Sequence, residues 1–334
     1  MFLKNQWYAA ALASELEAGG APVGRTICNE PIAMFRTESG ALAALEDRCP
    51  HRYAPLSKGE CIGESIACPY HGIRFGQSGE CTLIPHQKAI PALMRVKSYP
   101  LVERWGWAWI WLGDADKADP ATIPNYWWFG ADGWHSFHRH FHLRANYELC
   151  ADNLLDLSHT PFLHKTSVGV PEMITAPVET RVAGDRVHQE RVMENVTPSP
   201  FVAEWGGFAG QINRRASLTW EPACNIFVEM VYEDAANSIT VMLTNPLTPE
   251  TETSTHVWFA WSRNFGPADA NDPMSLKFEK QSLQVLEEDL SLMEMQQANI
   301  ERAEAFRPAI ITADATLVQA RRVLDRLRKE ETPA

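Results

Sequence analysis

The sequence predicts an α+β protein of two domains, residues 1–115 and 116–334. Short apolar stretches separated by turn residues fill most of the first domain, a pattern typical of small all-β folds. The run at 113–120 is polar and ends in proline, which indicates a domain boundary. Strand-like stretches over about 178–262, followed by a helix at about 275–306, favour an α+β second domain.

The composition argues against several classes of protein. The chain has 334 residues, is 45% hydrophobic and carries a formal net charge of −12. This acidic balance disfavours a nucleic-acid partner, because binding to phosphates depends on a basic surface. No stretch approaches about 18 uninterrupted apolar residues, and the N-terminus has no apolar run of signal-peptide length. We therefore expect a cytoplasmic protein that does not enter a membrane.

Two short motifs predict a metal cluster in the first domain. Cys49-Pro50-His51 is followed, after sixteen residues, by Cys68-Pro69-Tyr70-His71-Gly72. Two thiolates and two imidazoles suit a [2Fe-2S] cluster in which the cysteines hold one iron and the histidines the other. The alternative, a structural zinc site, usually pairs Cys with Cys and His with His rather than interleaving them. Cys49, His51, Cys68 and His71 are therefore the predicted cluster ligands.

A second group of metal-binding residue types lies in a predicted helix at about 146–160. At about 100° per residue, Asp152, Asp156 and His159 fall within roughly 60° of one another on one helix face. Pro161 should bend or end the helix and let His164 return toward the same point. Two histidines at this spacing are, by themselves, more often a surface or hydrogen-bonded pair. The cluster motif upstream favours a metal site instead.

Such a site needs a carboxylate from elsewhere in the chain, because two histidines and one carboxylate form the facial triad that holds Fe(II) and leaves positions open for O2. The helix predicted near the C-terminus offers three adjacent acids beside a stripe of apolar residues. Asp289 lies about 60° from the centre of this stripe, Glu287 about 100° and Glu288 about 160°. Asp289 is therefore the predicted third ligand.

These motifs together resemble the signature of Rieske non-haem iron oxygenases. The cluster motifs are accompanied by Arg52 and Phe75, and the D-x2-H-x4-H pattern at 156–164 is followed far downstream by an inward-facing Asp, as in the family's catalytic subunits. Respiratory Rieske proteins carry an additional cysteine in each ligand loop, where this chain has Ala54 and Tyr70. The resemblance is therefore to the oxygenases.

The resemblance implies an N-terminal all-β Rieske domain followed by a helix-grip catalytic domain, which is an antiparallel sheet with a long helix. It implies that His159, His164 and Asp289 bind the mononuclear iron. In the family, cluster and iron of one subunit are too far apart for rapid electron transfer, and each cluster lies beside the iron of a neighbour. Asp156 would then link His71 of one subunit to His159 of the next in a homotrimer.

Two side chains near the predicted iron keep alternative roles. Asp152 is either the bridge in place of Asp156 or a solvated acid. Asn153 either lies near the iron or has a structural hydrogen-bonding role.

Within the family, the chain is most similar to the branch of aromatic-ring demethylases that includes vanillate and dicamba O-demethylases and toluenesulfonate methyl-monooxygenase. The opening N-x-W-Y-x-A-A, residues 262–266 and Arg307-Pro308-Ala309 carry this similarity. In the dicamba enzyme an Asn and a His contact the substrate carboxylate. Asn225 matches the first and Asn245 stands where the His would be, so these two are the predicted substrate contacts.

The chain lacks motifs for taking electrons from a nicotinamide. No G-x-G-x-x-G follows a strand, and no C-x4-C-x2-C ferredoxin spacing occurs. We therefore expect a separate NAD(P)H-dependent reductase, with or without a ferredoxin, as partner.

The resemblance implies oxidative O- or N-demethylation of a small aromatic compound with O2. Hydroxylation of a methyl carbon on oxygen or nitrogen gives a hemiacetal or hemiaminal, which collapses and releases an aldehyde. The alternative among enzymes is hydroxylation of an aryl methyl group, whose product remains an alcohol. The alternative from another class is an electron carrier that uses only the cluster.

Overall fold

The computed structural model describes residues 2–305 and 307–331. The described residues form two compact units, which are residues 2–123 with 248–251, and residues 124–247 with 252–305 and 307–331. The domain boundary that the sequence predicts near residue 115 stays a prediction.

The N-terminal unit is built from short strands in three antiparallel sheets. Their orders are β1-β11-β10, β2-β3-β4-β9 and β5-β6-β7-β8. The strands are β1 (Gln6–Leu12), β2 (Val23–Ile27), β3 (Glu30–Arg36), β4 (Leu42–Glu46), β5 (Glu60–Ile62), β6 (Ser65–Ala67), β7 (Arg74–Gly76), β8 (Cys81–Leu83), β9 (Ser98–Tyr99), β10 (Leu101–Arg104) and β11 (Trp107–Leu112).

Strand β11 is apolar throughout because it is covered on both faces. All six of its residues are buried, and it pairs with β1 on one side and β10 on the other. Such a strand reads as a continuous apolar run rather than an alternating one. A second core, around Phe35, Leu45, Ile66 and Phe75, packs against the cysteines of the two cluster motifs.

The N-terminal unit also includes the last four residues of a strand from the other unit. The backbone N–H of Cys28 donates to the carbonyl of Pro249 at 2.7 Å, and that of Asn29 donates to Glu250 at 2.9 Å. The hydroxyl of Thr248 donates to the carbonyl of Ala9 at 2.7 Å. The N-terminal unit is therefore discontinuous in sequence.

The second unit contains a seven-stranded antiparallel sheet of order β12-β18-β17-β16-β15-β14-β13. Its strands are β12 (His135–Leu143), β13 (Glu179–Ala183), β14 (Arg186–Val196), β15 (Ile212–Glu221), β16 (Asn225–Glu233), β17 (Ser238–Thr251) and β18 (Ser254–Arg263). Its helices are α1 (Tyr147–Leu155), α2 (Thr160–Leu163), α3 (Pro200–Gly206), α4 (Pro273–Arg302) and α5 (Ala315–Glu331).

Helix α4 begins where the sequence supplies a cap. Asp272 accepts a hydrogen bond from the backbone N–H of Met274, and Pro273 occupies the first helical turn, as expected for a helix start. Its buried residues recur every three or four positions, as on an amphipathic helix. They are Phe278, Gln281, Ser282, Val285, Leu286, Asp289, Met293 and Gln297. The sheet and this long helix confirm the predicted α+β, helix-grip class.

None of the helices within residues 2–305 and 307–331 combines the length and the apolar content needed to cross a membrane.

Candidate cluster site and metal centre

The two cluster motifs form similar loops, each closed on its own cysteine. The backbone N–H of Cys49 donates to Ala54 at 2.9 Å, and that of Tyr53 donates back to Cys49 at 2.8 Å. The second loop joins β6 to β7, where Cys68 donates to Ile73 at 2.7 Å and Gly72 donates back to Cys68 at 3.0 Å. Both loops therefore hold their cysteine by two backbone hydrogen bonds.

Glycine is favoured in the second loop because Gly72 has a φ of +67°, a backbone conformation that glycine adopts more easily than residues with a side chain. The corresponding turn in the first loop has Tyr53 at +58°. These turns bring the two histidines side by side, with the ring centroids of His51 and His71 4.6 Å apart.

The four side chains fit a Rieske cluster. Cys49 and Cys68 are buried, whereas His51 and His71 are exposed. Burial, together with the neighbouring Cys68, raises the pKa of Cys49 to about 11. Buried thiols ionise only beside strong positive charge, and iron ions supply it. The arrangement thus offers two sulfur ligands from the interior and two imidazoles from the surface.

The segment that carries the predicted iron ligands departs from the single helix that the sequence predicts. Helix α1 ends at Leu155, and Asp156 has a non-helical backbone with φ −108° and ψ 86°. Its carboxylate caps a short 3-10 helix, Leu157–His159, by accepting from the N–H of Ser158 at 2.9 Å. An Asp at such a position favours ending one helix and starting another. The break therefore lies at Asp156, not at Pro161.

Three predicted ligands nevertheless converge. The nearest donor atoms of His159, His164 and Asp289 all lie within 4.8 Å of one another. The Nε2 atoms of His159 and His164 lie 3.4 and 3.2 Å from the same carboxylate oxygen of Asp289. Two imidazole nitrogens and one carboxylate oxygen form the donor set of non-haem Fe(II) sites, so these residues fit a mononuclear iron.

The other ring nitrogen of each histidine is held by an oxygen acceptor. Nδ1 of His159 lies 2.6 Å from the backbone carbonyl of Asp156, and Nδ1 of His164 lies 2.6 Å from the carboxylate of Glu288. With the hydrogen on Nδ1, the lone pair of each Nε2 is left for a metal. The contact from Asp156 to His159 is made by the backbone, while the carboxylate caps the 3-10 helix.

Glu288 was missed by the sequence reasoning, which placed it about 160° from the apolar stripe. Glu288 lies on the side of α4 that faces His164. Its angular distance from the apolar stripe therefore does not prevent its carboxylate from contacting this histidine. The signal that could have found it is chemical, because a metal-binding histidine usually donates its second N–H to a carboxylate or carbonyl.

The pKa values of the two histidines are shifted in opposite directions. Burial lowers the pKa of His159. Burial also opposes charge on His164, but hydrogen bonds and charge from Asp289 and Glu288 outweigh it and raise the pKa. Before metal binding, His164 therefore holds a proton more readily than His159 does.

Asn153 and Asp152 have distinct partners. The amide of Asn153 donates to Asp289 at 3.0 Å, which helps to hold that carboxylate, and its own Oδ1 is buried without a hydrogen-bond partner. Asp152 is ion-paired with Arg321 of α5, whose Nε lies 3.0 Å from Oδ1. The alternative in which Asp152 is a solvated acid is therefore wrong.

A cavity with a solvent-accessible volume of about 70 Å³ adjoins the three converging residues. Its wall is mainly apolar, which suits an aromatic ring. The apolar lining is Leu154, Leu157, Val168, Met173, Ala216, Val228, Met230, Leu243, Trp261 and Val285. Asn153, Thr160 and Arg214 are the polar lining residues besides the predicted ligands.

The two predicted substrate contacts are not among the residues that line this cavity. Asn225 begins β16 and donates to the carbonyl of Pro222 at 2.9 Å. It lies on the opposite face of β16 from Val228 because side chains alternate along a strand. Asn245 shares a face with Leu243 but lies two residues farther along β17. Neither Asn225 nor Asn245 lines this cavity, and the substrate contacts predicted for them stay predictions.

A second cavity, of about 400 Å³, reaches the candidate metal centre from another side. Its lining includes Asp156 and His159, residues of α5, and Ile310, which is 63% exposed.

Two known protein families match this chain, one in each half. The Rieske [2Fe-2S] domain matches residues 6–100, and the vanillate O-demethylase oxygenase C-terminal domain matches residues 143–330. The chain is 35% identical to the vanillate O-demethylase oxygenase subunit of Pseudomonas sp. (strain HR199 / DSM 7063), over 100% of this chain and 97% of that protein. It is 34% identical to the toluene-4-sulfonate monooxygenase system iron-sulfur subunit TsaM1 of Comamonas testosteroni, over 99% and 98%.

Solved structures give the same result. The structure of dicamba monooxygenase bound to 3,6-dichlorosalicylic acid superposes with a TM-score of 0.91 at 33% identity, covering 99% of this chain and 98% of that one. The structure of dicamba monooxygenase with non-haem iron and dicamba gives a TM-score of 0.84 at 32% identity, with the same coverage.

Proposed function

The chain belongs to the Rieske non-haem iron oxygenases of the vanillate O-demethylase family, and from this we propose that it demethylates a small aromatic compound at oxygen or nitrogen. It is the terminal oxygenase of a multicomponent monooxygenase, with a [2Fe-2S] cluster and a mononuclear iron as cofactors. The observation that carries the proposal is the convergence of His159, His164 and Asp289 beside a largely apolar cavity.

We assign the cluster to Cys49, His51, Cys68 and His71. The paired loops, the buried thiols and the adjacent imidazole rings support this assignment. When bound, the cluster supplies electrons one at a time, and the mononuclear iron activates O2.

For the iron, we assign His159, His164 and Asp289 as ligands. Glu288 and the carbonyl of Asp156 keep a hydrogen on each Nδ1 and so orient both rings. Asn153 donates to the Asp289 carboxylate and limits its rotation. The apolar wall of the cavity excludes water and holds the aromatic ring beside these residues.

The reaction is balanced by two electrons and two protons. One oxygen atom of O2 enters a C–H bond of the methyl group, and the other leaves as water. The resulting hemiacetal or hemiaminal breaks its bond between carbon and oxygen or nitrogen, which gives an aldehyde and a phenol or amine.

The electrons come from a separate reductase, as in the multicomponent systems of the relatives. We propose that this reductase uses NAD(P)H, with or without a ferredoxin. A cytoplasmic location follows from this proposal, since that is where such a reductase meets NAD(P)H.

We further propose a homotrimer in which Asp156 links His71 of one subunit to His159 of the next. Two features support it: the imidazole of His71 is exposed, and the cavity of about 400 Å³ leads to Asp156 and His159. Light scattering on the purified protein tests it. A particle mass of three chains is expected, and a mass of one chain would contradict the proposal.

The activity is tested with purified protein, a surrogate reductase, NADH and 18O2. Methoxy-, N-methyl- and methyl-arenes are supplied, and aldehyde, O2 uptake and labelled product are measured. Aldehyde formed in proportion to O2 uptake is the expected result. A labelled alcohol without aldehyde would instead identify a methyl hydroxylase, and electron transfer without any product would identify an electron carrier.

Two histidine variants extend this assay, and His86→Ala is the control for His159→Ala. His159→Ala should lose turnover, whereas His86→Ala, which changes an exposed histidine in the N-terminal unit, should keep it. Full turnover by the His159→Ala protein would refute the iron assignment.

A further inference from the structure

Trp261 is an oxidisable side chain in the wall of the candidate iron cavity. It lies on β18, is 3% exposed, and lines the cavity together with His159 and Asp289. Its indole N–H has no hydrogen-bond partner among the described residues. An indole ring gives up an electron far more readily than the aliphatic side chains that make up most of this wall. Trp261 is therefore the first ring from which an oxidant formed at the metal centre can take an electron.

A second indole, that of Trp205 on α3, is in contact with Trp261. The centroids of the two rings lie 5.9 Å apart, with the ring planes at 82°, which is an edge-to-face contact. Phe278 of α4 lies beside both rings, with its centroid 5.0 Å from that of Trp205 and 5.9 Å from that of Trp261. Electron transfer between rings in contact is fast, and a phenyl ring is much harder to oxidise than an indole. Trp205 is therefore the donor that can replace an electron lost from Trp261.

Trp205 in turn is connected to the surface. It is 6% exposed, and its indole N–H donates to Oε1 of Gln281 at 2.7 Å. The amide of Gln281 donates to Oε2 of Glu204 at 2.8 Å. Glu204 precedes Trp205 on α3 and is exposed. The two indoles thus form a path that leads from the cavity to solvent.

Glu204 favours a positive charge on Trp205. Hydrogen bonds from Lys277 and Gln281 lower the pKa of Glu204, so its carboxylate is ionised at neutral pH. Lys277 pairs with the other carboxylate oxygen and offsets part of this charge. The hydrogen bond from Trp205 to Gln281 also supports an oxidised indole, because oxidation makes the indole N–H a stronger donor.

The surroundings of Trp261 are less favourable for such a charge. The wall around it is mainly apolar, and a charge in a protein interior is costly unless it is paired. Arg214 lines the same wall, is buried, and donates to the uncharged carbonyl of Val168 at 3.1 Å. Its cation repels a second positive charge nearby. An oxidised Trp261 is therefore less stable than an oxidised Trp205, and electrons move inward from Trp205.

We propose that Trp205 and Trp261 form an electron path that protects the metal centre when O2 is reduced without oxidation of a substrate. This inference rests on the proposed function, since the oxidant is hydrogen peroxide formed from O2 and two electrons of the reductase. The path delivers electrons to this oxidant before it attacks the side chains around it. The most sensitive of these are Met173 and Met230, which line the cavity and whose thioethers are oxidised to sulfoxides.

The electrons and protons of this side reaction balance with a thiol as the reductant. Trp205 passes one electron through Trp261 to the oxidant, and a thiol in solution returns one electron to Trp205. Two such transfers and two protons reduce one molecule of hydrogen peroxide to two molecules of water. Two thiols meanwhile lose two electrons and two protons and become one disulfide. Both indoles end unchanged.

Oxidation of the holoenzyme by hydrogen peroxide tests the path without substrate turnover. Protein that contains cluster and iron is treated with hydrogen peroxide in the presence of glutathione, and peptide mass spectrometry measures methionine sulfoxide. Met173 and Met230 report oxidation inside the cavity. Met242 is buried but does not line the cavity, so it reports unspecific oxidation. The wild-type protein should form little sulfoxide at any of the three.

Three variants sharpen the test. Trp205→Phe keeps an aromatic ring that is hard to oxidise, so sulfoxide at Met173 and Met230 should rise several-fold while Met242 is unchanged. Trp205→Tyr differs from it by one hydroxyl but supplies an oxidisable ring, and it should stay close to wild type. Trp127→Phe is the matched control, because Trp127 is an exposed indole that does not line the cavity. It should behave as wild type.

Equal sulfoxide at the two cavity methionines in wild type and Trp205→Phe would overturn the proposal. The same holds if Trp205→Tyr is damaged as much as Trp205→Phe, since Trp205 would then matter only for packing. If Trp205→Phe does not fold, electron paramagnetic resonance of peroxide-treated, rapidly frozen protein keeps the proposal falsifiable. A tryptophan radical is expected in wild type and a tyrosyl radical in Trp205→Tyr, and the absence of both would refute the path.

Turnover separates this proposal from the proposed function. Aldehyde released from a methylated arene, with sulfoxide that does not depend on Trp205, would refute the path and keep the demethylase. Sulfoxide that depends on Trp205, without aldehyde from any methylated arene, would keep the path and refute the demethylase.

Discussion

The cluster site and the metal centre are built in different ways. The four candidate cluster ligands come from two loops within residues 49–71, and each loop is closed by hydrogen bonds to its own cysteine. The three candidate iron ligands come from segments more than a hundred residues apart and meet only because α4 passes the end of α1. The first site is local in sequence, whereas the second depends on the packing of the whole unit.

The two sites also differ in exposure. Both histidines of the cluster loops are exposed, whereas His164 is only 2% exposed and Asp289 8%. Exposed imidazoles suit an electron donor that must be approached from outside, and buried ligands suit a site that excludes water. We therefore expect that a substitution in one site leaves the other intact.

The largest effect is expected from removing an iron ligand. Asp289→Ala should lower iron content from about three to about two atoms per chain and reduce turnover by more than about a thousandfold, because a two-ligand site holds Fe(II) weakly. The visible absorption of the cluster should be unchanged. Iron analysis and absorption spectra check this, and loss of the cluster in the same variant would show that the sites are not independent.

A smaller effect is expected from Glu288→Gln. Loss of the carboxylate that accepts from His164 should weaken iron binding by about 10- to 100-fold, the range typical for partners of metal ligands. The neighbouring Glu287 is exposed, so Glu287→Gln is the control and should bind iron normally. Competition with a chelator measures both variants, and equal affinities would contradict the role given to Glu288.

Asn225→Ala should affect stability rather than substrate binding. The substitution leaves the Pro222 carbonyl without its side-chain donor and should cost about 1 kcal/mol of unfolding free energy. The KM should be unchanged because Asn225 does not line the cavity. Denaturant unfolding and steady-state kinetics separate the two effects. A large rise in KM at unchanged stability would restore Asn225 as a substrate contact.

The smallest effect concerns an ion-paired group in the N-terminal unit. Burial alone would raise the pKa of Glu30, but hydrogen bonds from Lys4, Lys97 and Tyr99 lower it to about 2. Because the folded pKa lies below the ordinary value of 4.5, the stabilisation is complete above about pH 4.5 and is lost as the pH falls toward about 2.

Glu30→Gln should therefore destabilise the protein at pH 7 by less than about 1 kcal/mol, since the group is partly exposed to solvent. The difference from wild type should shrink as the pH falls below about 4.5. Unfolding curves at several pH values measure it. A difference that stays constant down to pH 3 would contradict the ion-pair explanation.

Sequence reasoning succeeded where the information is local. The spacing of Cys49, His51, Cys68 and His71 indicated the cluster because each pair lies within one tight loop. It also predicted that Asp289 faces inward, and Asp289 is buried, since burial on one face of a helix follows from the helical period. The α+β class followed from the order of strands and helices.

Other features depend on contacts that periodicity does not contain. The helical wheel placed Glu288 farther from the apolar stripe than Glu287, whereas in the structure Glu287 is exposed and Glu288 is partly buried against His164. Position matching assigned Asn225 to the substrate, whereas strand alternation turns it away from the cavity. Arg214 resembles any strand arginine in sequence, and only the register of β14, β15 and β16 shows that it is buried.

The discontinuity of the N-terminal unit has a consequence for biosynthesis. Residues 248–251 complete this unit through hydrogen bonds to Ala9, Cys28 and Asn29. A ribosome makes these residues only after about three quarters of the chain has been synthesised, so the unit that carries the cluster loops cannot form its last contacts before residue 251 has been made. A cluster inserted during translation would bind to an incomplete N-terminal unit, whereas a cluster inserted after release of the chain would bind to a complete one.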